Sequence, residues 1–364
     1  MVFIYIFAGI ILVNLLYYIL FSKVAFYRTI SEVKKTSTPV SILVCAKNES
    51  ENLQKNIPLL LEQQYPDFEI ILINDCSADD SLEVMESFEK QDTRIKIVDV
   101  VPNEAFWANK KYALTLGIKK ASHKCMLFID ADCWPNSPYW IATMSGKFST
   151  EKQLVLGYGG YEKKKGILNK LIRYETLATA IQYMSYAKAG MPYMGVGRNL
   201  GYTSDLYYSV NGFISHIRIP SGDDDLFVNE AASKVNTEVC LEKVGFTIST
   251  PKTSFSKWAQ QKRRHITTAH LYKGKHQFLL SSFFIFNLLF WIFLALSYIF
   301  CPWTMVTALV VLRLGIQWVI YASSAAILNE KDLKYFIPFL DLFLILFQLS
   351  IFISNTTSKP ARWK

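Results

Sequence analysis

Two stretches of this chain, Val2 to Phe21 and Phe278 to Cys301, run for 20 and 24 residues without a charged side chain. Each is long enough for a helix to cross a bilayer. Two more follow: Trp303 to Ile327 carries the single charge of Arg313, and Tyr335 to Ser354 that of Asp341. Between them lies an uninterrupted block of 242 residues, Thr36 to Gln277, which suffices to bury a core of its own. The 51% hydrophobic content, too apolar for an ordinary soluble enzyme, is explained by the four stretches.

The first stretch has no basic residue before it and no small-residue cleavage pattern after Phe21, so it reads as a retained anchor rather than a removed signal peptide. Lys23, Arg28, Lys34 and Lys35 follow it, and the positive-inside tendency then places the central block in the cytoplasm. Three further spans would put Lys359, Arg362 and Lys364 on the opposite side, against that tendency, which leaves the last two spans open. Arg313 and Asp341 are each costly at the bilayer centre. Counting about 1.5 Å per residue from the Leu328 to Lys334 connection puts Asp341 about 12 Å shallower than Arg313, which predicts that the two snorkel rather than touch.

Six cysteines without a CxxC pair exclude a disulfide scaffold and fit a reducing compartment. The net charge of +9 is local, because Lys252 to His276 holds seven Lys or Arg and no acid. Directly before a span, such a segment faces anionic headgroups more readily than nucleic acid.

The central block opens with the apolar run Val40 to Ala46, a polar turn at Lys47 to Ser50 and a helix to about Gln64 that Pro58 shortens or kinks. Phe68 to Ile73 and then a helix capped by Ser77 to Asp80 repeat the pattern. Ile95 to Val101, Tyr112 to Lys119 and Cys125 to Ile129 continue it, so the expected fold is a mostly parallel sheet with helices on its faces. Ligands of such sheets lie beyond the carboxyl ends of the strands. Ala46, Asn48 and Glu49, then Asn74 and Asp75, then Asp130 and Asp132 stand there. A phosphate loop of the GxxxxGK[ST] kind is absent, and Gly195 to Gly201 has the wrong spacing for a dinucleotide fingerprint. Strand alternation would send the carboxylates of Asp130 and Asp132 to one side, where two oxygens suit Mg²⁺ or Mn²⁺ when a diphosphate supplies the other ligands. An ordinary strand-end turn is the competing reading.

In this company the chain resembles the family-two glycosyltransferases, whose nucleotide-binding fold is called GT-A. Val40 to Glu49 is similar to the family's opening strand, Ile70 to Ser77 to the second strand with its nucleotide-contacting aspartate, here Asp75, and Phe128 to Asp132 (FIDAD) to its DxD metal motif. Asn109 to Leu114 resembles a Gly-Lys-x-x-Ala-Leu element with Asn109 in place of glycine, and Gly197 to Leu200 with Asn211 to Phe213 resembles the acceptor-side loop. Ser221 to Leu226 falls where the family carries its general base. Keeping the preceding glycine aligned points to Asp224, and keeping the following Asp-Leu points to Asp223; Asp224 is preferred. Gln261 to His265 resembles the QxxRW motif of cellulose synthases, hyaluronan synthases and ceramide glucosyltransferases, with His265 replacing tryptophan. If that segment is helical, Gln261, Arg264 and His265 share a face.

The resemblance implies a GT-A domain over 36–277, an anchor over 1–22 and a transmembrane region over 278–355, in an integral protein of the plasma or inner membrane with its catalytic domain cytoplasmic. It implies Asp130 and Asp132 as metal ligands, and Ala46, Asn48, Glu49, Asp75, Lys110, Asp130, Gln261, Arg264 and His265 as donor-binding. Asp224 or Asp223 would be catalytic, and Arg198, Asn199 and Asp225 would lie on the acceptor side. The expected activity is inverting transfer from a UDP-linked sugar to a lipid hydroxyl in glycolipid biosynthesis, with no nucleic acid partner. A processive polysaccharide synthase is the alternative, and a non-catalytic membrane scaffold is the reading from another class. Trp134 and Trp140 are more readily packing residues than an acceptor groove.

Overall fold

The computed structural model describes residues 2–28, 37–101 and 110–358. Asn109 of the Lys110 element, Lys34 and Lys35 after the first span, and Lys359, Arg362 and Lys364 of the tail lie outside the described residues. The chain divides into two compact units. One draws on Arg28–Lys164 and Gly190–Lys252, the other on Met1–Tyr27, Lys165–Ala189 and Thr253–Pro360.

The first unit contains strands β1 (Val40–Ala46), β2 (Phe68–Asn74), β3 (Ile95–Asp99), β4 (Cys125–Phe128), β5 (Cys133–Pro135), β6 (Leu154–Leu156), β7 (Gly159–Tyr161), β8 (Leu200–Thr203), β9 (Thr237–Val239) and β10 (Thr247–Ser249). Seven form a sheet in the order β3-β2-β1-β4-β8-β6-β9. It is parallel at β3–β2, β2–β1, β1–β4 and β6–β9, and antiparallel where β8 meets β4 and β6. The mostly parallel expectation is met. β1 and β2 read as continuous apolar runs because helices cover both their faces. Leu53, Ile57 and Leu60 of the helix Ser50–Leu61 are buried in a core with Val40, Ile42 and Val44. The helix Lys110–Lys120 packs so closely on β2 that a Cβ on Gly117 would meet Ile73 Cδ1 at 2.2 Å, so a side chain there would have to displace that of Ile73. β10 lies between β5 and β7 in a second, three-stranded sheet that pairs Ser249 with Cys133.

Among the described residues, the second unit holds four helical segments long and apolar enough to cross a membrane: Val2–Ala25, Gly274–Phe300, Trp303–Ile327 and Lys331–Thr357. Arg313 is fully buried among them, donating to Asn14 Oδ1 at 3.1 Å, Asn287 Oδ1 at 2.6 Å and Gln317 Oε1 at 2.6 Å, with Asp341 Oδ2 at 3.8 Å. The expectation that Arg313 and Asp341 stay apart is therefore corrected. The cause is the connection between the third and fourth spans, which does not stay level. Lys331–Phe336 is a 3-10 helix, and Trp318 Nε1 donates to the Lys334 carbonyl at 2.9 Å, so the chain has already descended alongside the third span before the regular helix begins at Ile337.

Removing one partner of a buried ion pair strands the other charge. Arg313→Met is expected to destabilise the protein in detergent by about 3–5 kcal/mol, and adding Asp341→Leu to recover most of that loss. Paired thermal melts of the single and double variants check this.

In the same unit Arg173, itself buried, donates to Glu330 Oε2 at 2.8 Å and Asp332 Oδ2 at 2.9 Å, tying the helix Ile167–Lys188 to the segment after the third span. The segment resembling QxxRW is helical, Phe255–Ile266, as the shared face of Gln261, Arg264 and His265 requires. Its other two cations are engaged within the unit. Lys262 pairs with Glu175, and Arg263 donates to Asn355 Oδ1 at 2.8 Å and to the Ser358 carbonyl at 2.6 Å.

Candidate active site

The parallel register aligns Ala46 with Asn74, and Asp75 N donates to the Ala46 carbonyl at 2.9 Å. The two turns that follow are stitched together. Asn48, at φ 55°, accepts from Ala78 N through Oδ1 at 2.7 Å, and Glu49 N donates to Ser81 Oγ at 2.9 Å. The Asn48 side chain therefore shapes the rim of the site. Asp75 is 4% exposed, and burial pushes its carboxyl up against the opposing charges of Lys47 and Lys110. Burial also raises Glu49, whose carboxylate accepts from Asn52 Nδ2 at 2.5 Å.

β4 stops at Phe128, before the DxD residues, so a turn and not the strand pleat brings the two carboxylates together. Cys133 N donates to the Asp130 carbonyl at 3.0 Å, and Asn56 Nδ2 to the Ala131 carbonyl at 2.8 Å. Ligand atoms of Asp130, Asp132 and Cys133 all lie within 4.8 Å of one another. The two carboxylates are the hard oxygen donors that Mg²⁺ or Mn²⁺ takes, and the residues fit such an ion. Cys133 Sγ is already engaged, 2.8 Å from Ser249 Oγ and 3.3 Å from Asp132 Oδ1. Burial and then Asp130 raise Asp132, while Lys252 and Arg198 oppose them. The Arg198 guanidinium lies over the Tyr161 ring at 4.5 Å, and a Cβ on Gly159 would come within 2.7 Å of Arg198 Cγ, so the side chain is closely confined.

Lys110 joins this corner to the acid triplet. Its Nζ is 2.9 Å from Asp130 Oδ1 and 2.9 Å from Asp223 Oδ2, so one ammonium spans both carboxylates. Asp224 accepts from Gly197 N at 2.7 Å through Oδ2 and from Asp225 N at 2.7 Å through Oδ1, capping the helix Asp225–Ala231. Gly222, at φ 95°, turns the chain into the triplet in a conformation that favours glycine. Two neighbouring acids thereby receive opposite settings. Burial pushes Asp223 upward, but the charge and hydrogen bond of Lys110 outweigh it and hold Asp223 below its ordinary value. Burial, Asp223 and Asp225 push Asp224 up to about 8. Lys110, Asp130, Gly197, Tyr202, Asp223 and Asp224 line one cavity.

The structure thus gathers Ala46, Asn48, Glu49, Asp75, Lys110, Asp130, Asp132, Arg198, Asp223, Asp224 and Asp225 in one unit; Gln261, Arg264 and His265 belong to the other. Asn199 is fully buried, its amide donating to the Tyr158 and Gly245 carbonyls at 2.9 and 2.8 Å and accepting from Trp140 Nε1 at 3.1 Å. It holds the loop from within. Trp140 is likewise a core residue. The charge of Lys252 opposes the upward shifts of Glu49 and Asp132, and no local sequence pattern signals this, because the β5–β10 pairing that carries Lys252 there joins strands far apart in the chain.

Residues 41–194 match the family model described as Glycosyl transferase family 2. The chain carries a family-two glycosyltransferase domain. This glycosyltransferase domain has curated relatives in the poly-beta-1,6-N-acetyl-D-glucosamine synthase of Staphylococcus epidermidis, 33% identical over 149 residues, and an uncharacterized glycosyltransferase of Haemophilus influenzae, 32% identical over 142. The alignments cover 39% and 38% of this chain and 34% and 42% of those proteins, so the chain spans about a third of the length of the synthase. Among solved structures, the mannosyltransferase PcManGT from Pyrobaculum calidifontis, in complex with GDP-Man and Mn²⁺, superposes with a TM-score of 0.56 at 15% identity. The superposition covers 92% of this chain and 99% of that one, and the likeness places the glycosyltransferase domain in the GT-A fold.

Proposed function

We propose that this protein is a membrane-bound, metal-dependent, inverting glycosyltransferase that moves a sugar from a UDP-linked donor to a lipid hydroxyl. The observation that carries this reading is the Lys110 bridge, which sets the acid triplet beside the metal motif within one cavity. Asp130 and Asp132 would hold Mg²⁺ or Mn²⁺, which when bound neutralises charge on the nucleoside diphosphate. The nucleotide would lie along the strand ends, over Ala46, Asn48, Glu49 and Asp75. Lys110 adds fixed positive charge on the side where the leaving group gains negative charge, and Arg198, whose charge acts on Asp132, joins it there rather than on the acceptor side expected from the sequence. Gln261, Arg264 and His265 are assigned to the donor by the family resemblance.

Asp224 would take the proton of the acceptor hydroxyl as its oxygen attacks the anomeric carbon. The bond from that carbon to the diphosphate oxygen breaks, the nucleoside diphosphate leaves, and the configuration inverts. A carboxylate raised to about 8 is a stronger base than an ordinary one and suits that proton transfer. The four apolar helices and the basic helix Phe255–Ile266 favour an acceptor at the membrane. The similarity to poly-beta-1,6-N-acetyl-D-glucosamine synthase supports a second reading, a polymer-forming synthase.

Purified protein with a panel of UDP-sugars, Mn²⁺ and membrane lipid extract is expected to release UDP and to yield a lipid carrying one sugar. A long glycan would support the polymer reading. Nucleotide binding without turnover across the panel would favour a scaffold.

A further inference from the structure

The acid triplet is reached through a segment between the helix Ser204–Ser209 and Asp223 whose first part is a turn at Asn211 and Gly212 and a 3-10 helix, Ile214–His216, and whose remainder forms no helix or strand. Two consecutive side chains at the start of the helix Lys110–Lys120 fix the path of that segment. Lys110 holds Asp223 at the far end, as described. Lys111 diverges from it and is 1% exposed; its Nζ donates to the His216 carbonyl at 2.5 Å and lies 3.2 Å from His216 Nδ1. The same corner is tied to the helix after the triplet. Ser215 Oγ donates to Glu230 Oε2 at 2.5 Å, and His216 Nε2 lies 3.8 Å from that oxygen.

A buried ammonium is costly unless opposing charge compensates it, and a methionine of similar length would fill the same space at no such cost. Burial draws Lys111 down to about 8, against the pull of Asp223, Asp225 and Asp224. What the lysine adds is a bond to a main-chain carbonyl, which fixes the path of the loop itself. We propose that Lys111 is a positioning residue for the base: Lys110 on Asp223 and Lys111 on His216 pin both ends of segment 216–223 to one helix, and the clamp sets where Asp224 stands. The proposal rests on the reading of Asp224 as the base.

The test uses the full chain in detergent, comparing wild type with Lys111→Met, Lys111→Arg and His216→Ala. Lys111→Met is expected to raise amide hydrogen exchange across 214–222 at least tenfold, to leave the affinity for UDP with Mn²⁺ within about twofold, and to lower kcat by about 10²-fold, the cost of a base misplaced by about 1 Å. Lys111→Arg keeps a donor for the carbonyl and is expected to restore most of the exchange protection and part of kcat. Unchanged exchange in 214–222, or an unchanged kcat, in Lys111→Met overturns the clamp. Should that variant not fold, Lys111→Leu, which also lacks the donor, carries the test, with faster loop exchange and a several-fold lower kcat expected and no change in either counting against the clamp; His216→Ala keeps the carbonyl that Lys111 holds and is expected to stay closer to wild type in both. A wild type without turnover sinks the reading of Asp224, while the exchange comparison still decides whether the clamp exists.

Discussion

Asp132→Ala is expected to abolish Mn²⁺-dependent binding of UDP and to lower turnover by about 10²–10³-fold, the scale of losing a main electrostatic contact to the leaving group. The substitution takes one of two hard oxygen donors from a turn whose backbone is held independently by Asn56 and Cys133, so the fold should survive it. Asp130→Ala differs in a way that geometry dictates. It also removes one arm of the Lys110 bridge, leaving Lys110 on Asp223 alone, and is expected to melt at a lower temperature than Asp132→Ala. Calorimetric titration with UDP and Mn²⁺, together with melts of both variants, checks the pair. Equal metal-dependent binding in wild type and Asp132→Ala would remove the assigned metal site.

Asp224→Asn is expected to lower turnover by about 10²–10⁴-fold, the span of a lost general base, with UDP and Mn²⁺ binding retained because Asp224 is not among the residues proposed to hold the diphosphate or the ion. In the wild type, kcat/KM should rise with pH through about 8, since the deprotonated form is the active one. Stability runs the opposite way. The folded state holds this proton more tightly than the unfolded chain, whose carboxyl titrates near the ordinary value of 3.8, so the favourable contribution is complete at low pH and is lost as pH rises through about 8. The wild-type melting temperature should therefore fall more steeply than that of Asp224→Asn between about pH 6 and about pH 9. Parallel slopes, or turnover in Asp224→Asn within about tenfold of wild type, would shift the role of base to Asp223.

What the sequence discloses here is local chemistry repeated along one strand. Val40–Ala46 has the boundaries its apolar run suggests, and the other strands of the parallel half lie within two residues of theirs, because buried parallel strands need continuous apolar runs. Asp130, Asp132 and Asp224 were nameable because short motifs carry them. Features that depend on long-range pairing were not. The Arg313–Asp341 contact requires knowing that Lys331–Phe336 descends beside the preceding helix, and no local pattern says so. The charge of Lys252 acts on Asp132 through the register of β10 against β5, and Lys111 meets the carbonyl of His216, in the 3-10 helix Ile214–His216, from a helix about a hundred residues earlier in the chain. The carboxylates of Asp130 and Asp132 do come together, but not through strand alternation, since β4 ends before them and a turn held by Asn56 brings them to one place.

One cavity must serve both the diphosphate and the base for this chemistry to run. A structure of the protein with Mn²⁺ and a non-hydrolysable UDP-sugar tests that most directly. The ion is expected on the carboxylates of Asp130 and Asp132, with the anomeric carbon turned toward Asp224 and room between them for a single acceptor oxygen, about 3–3.5 Å from the carbon it attacks. An ion held elsewhere, or an anomeric carbon facing away from Asp224, would contradict it.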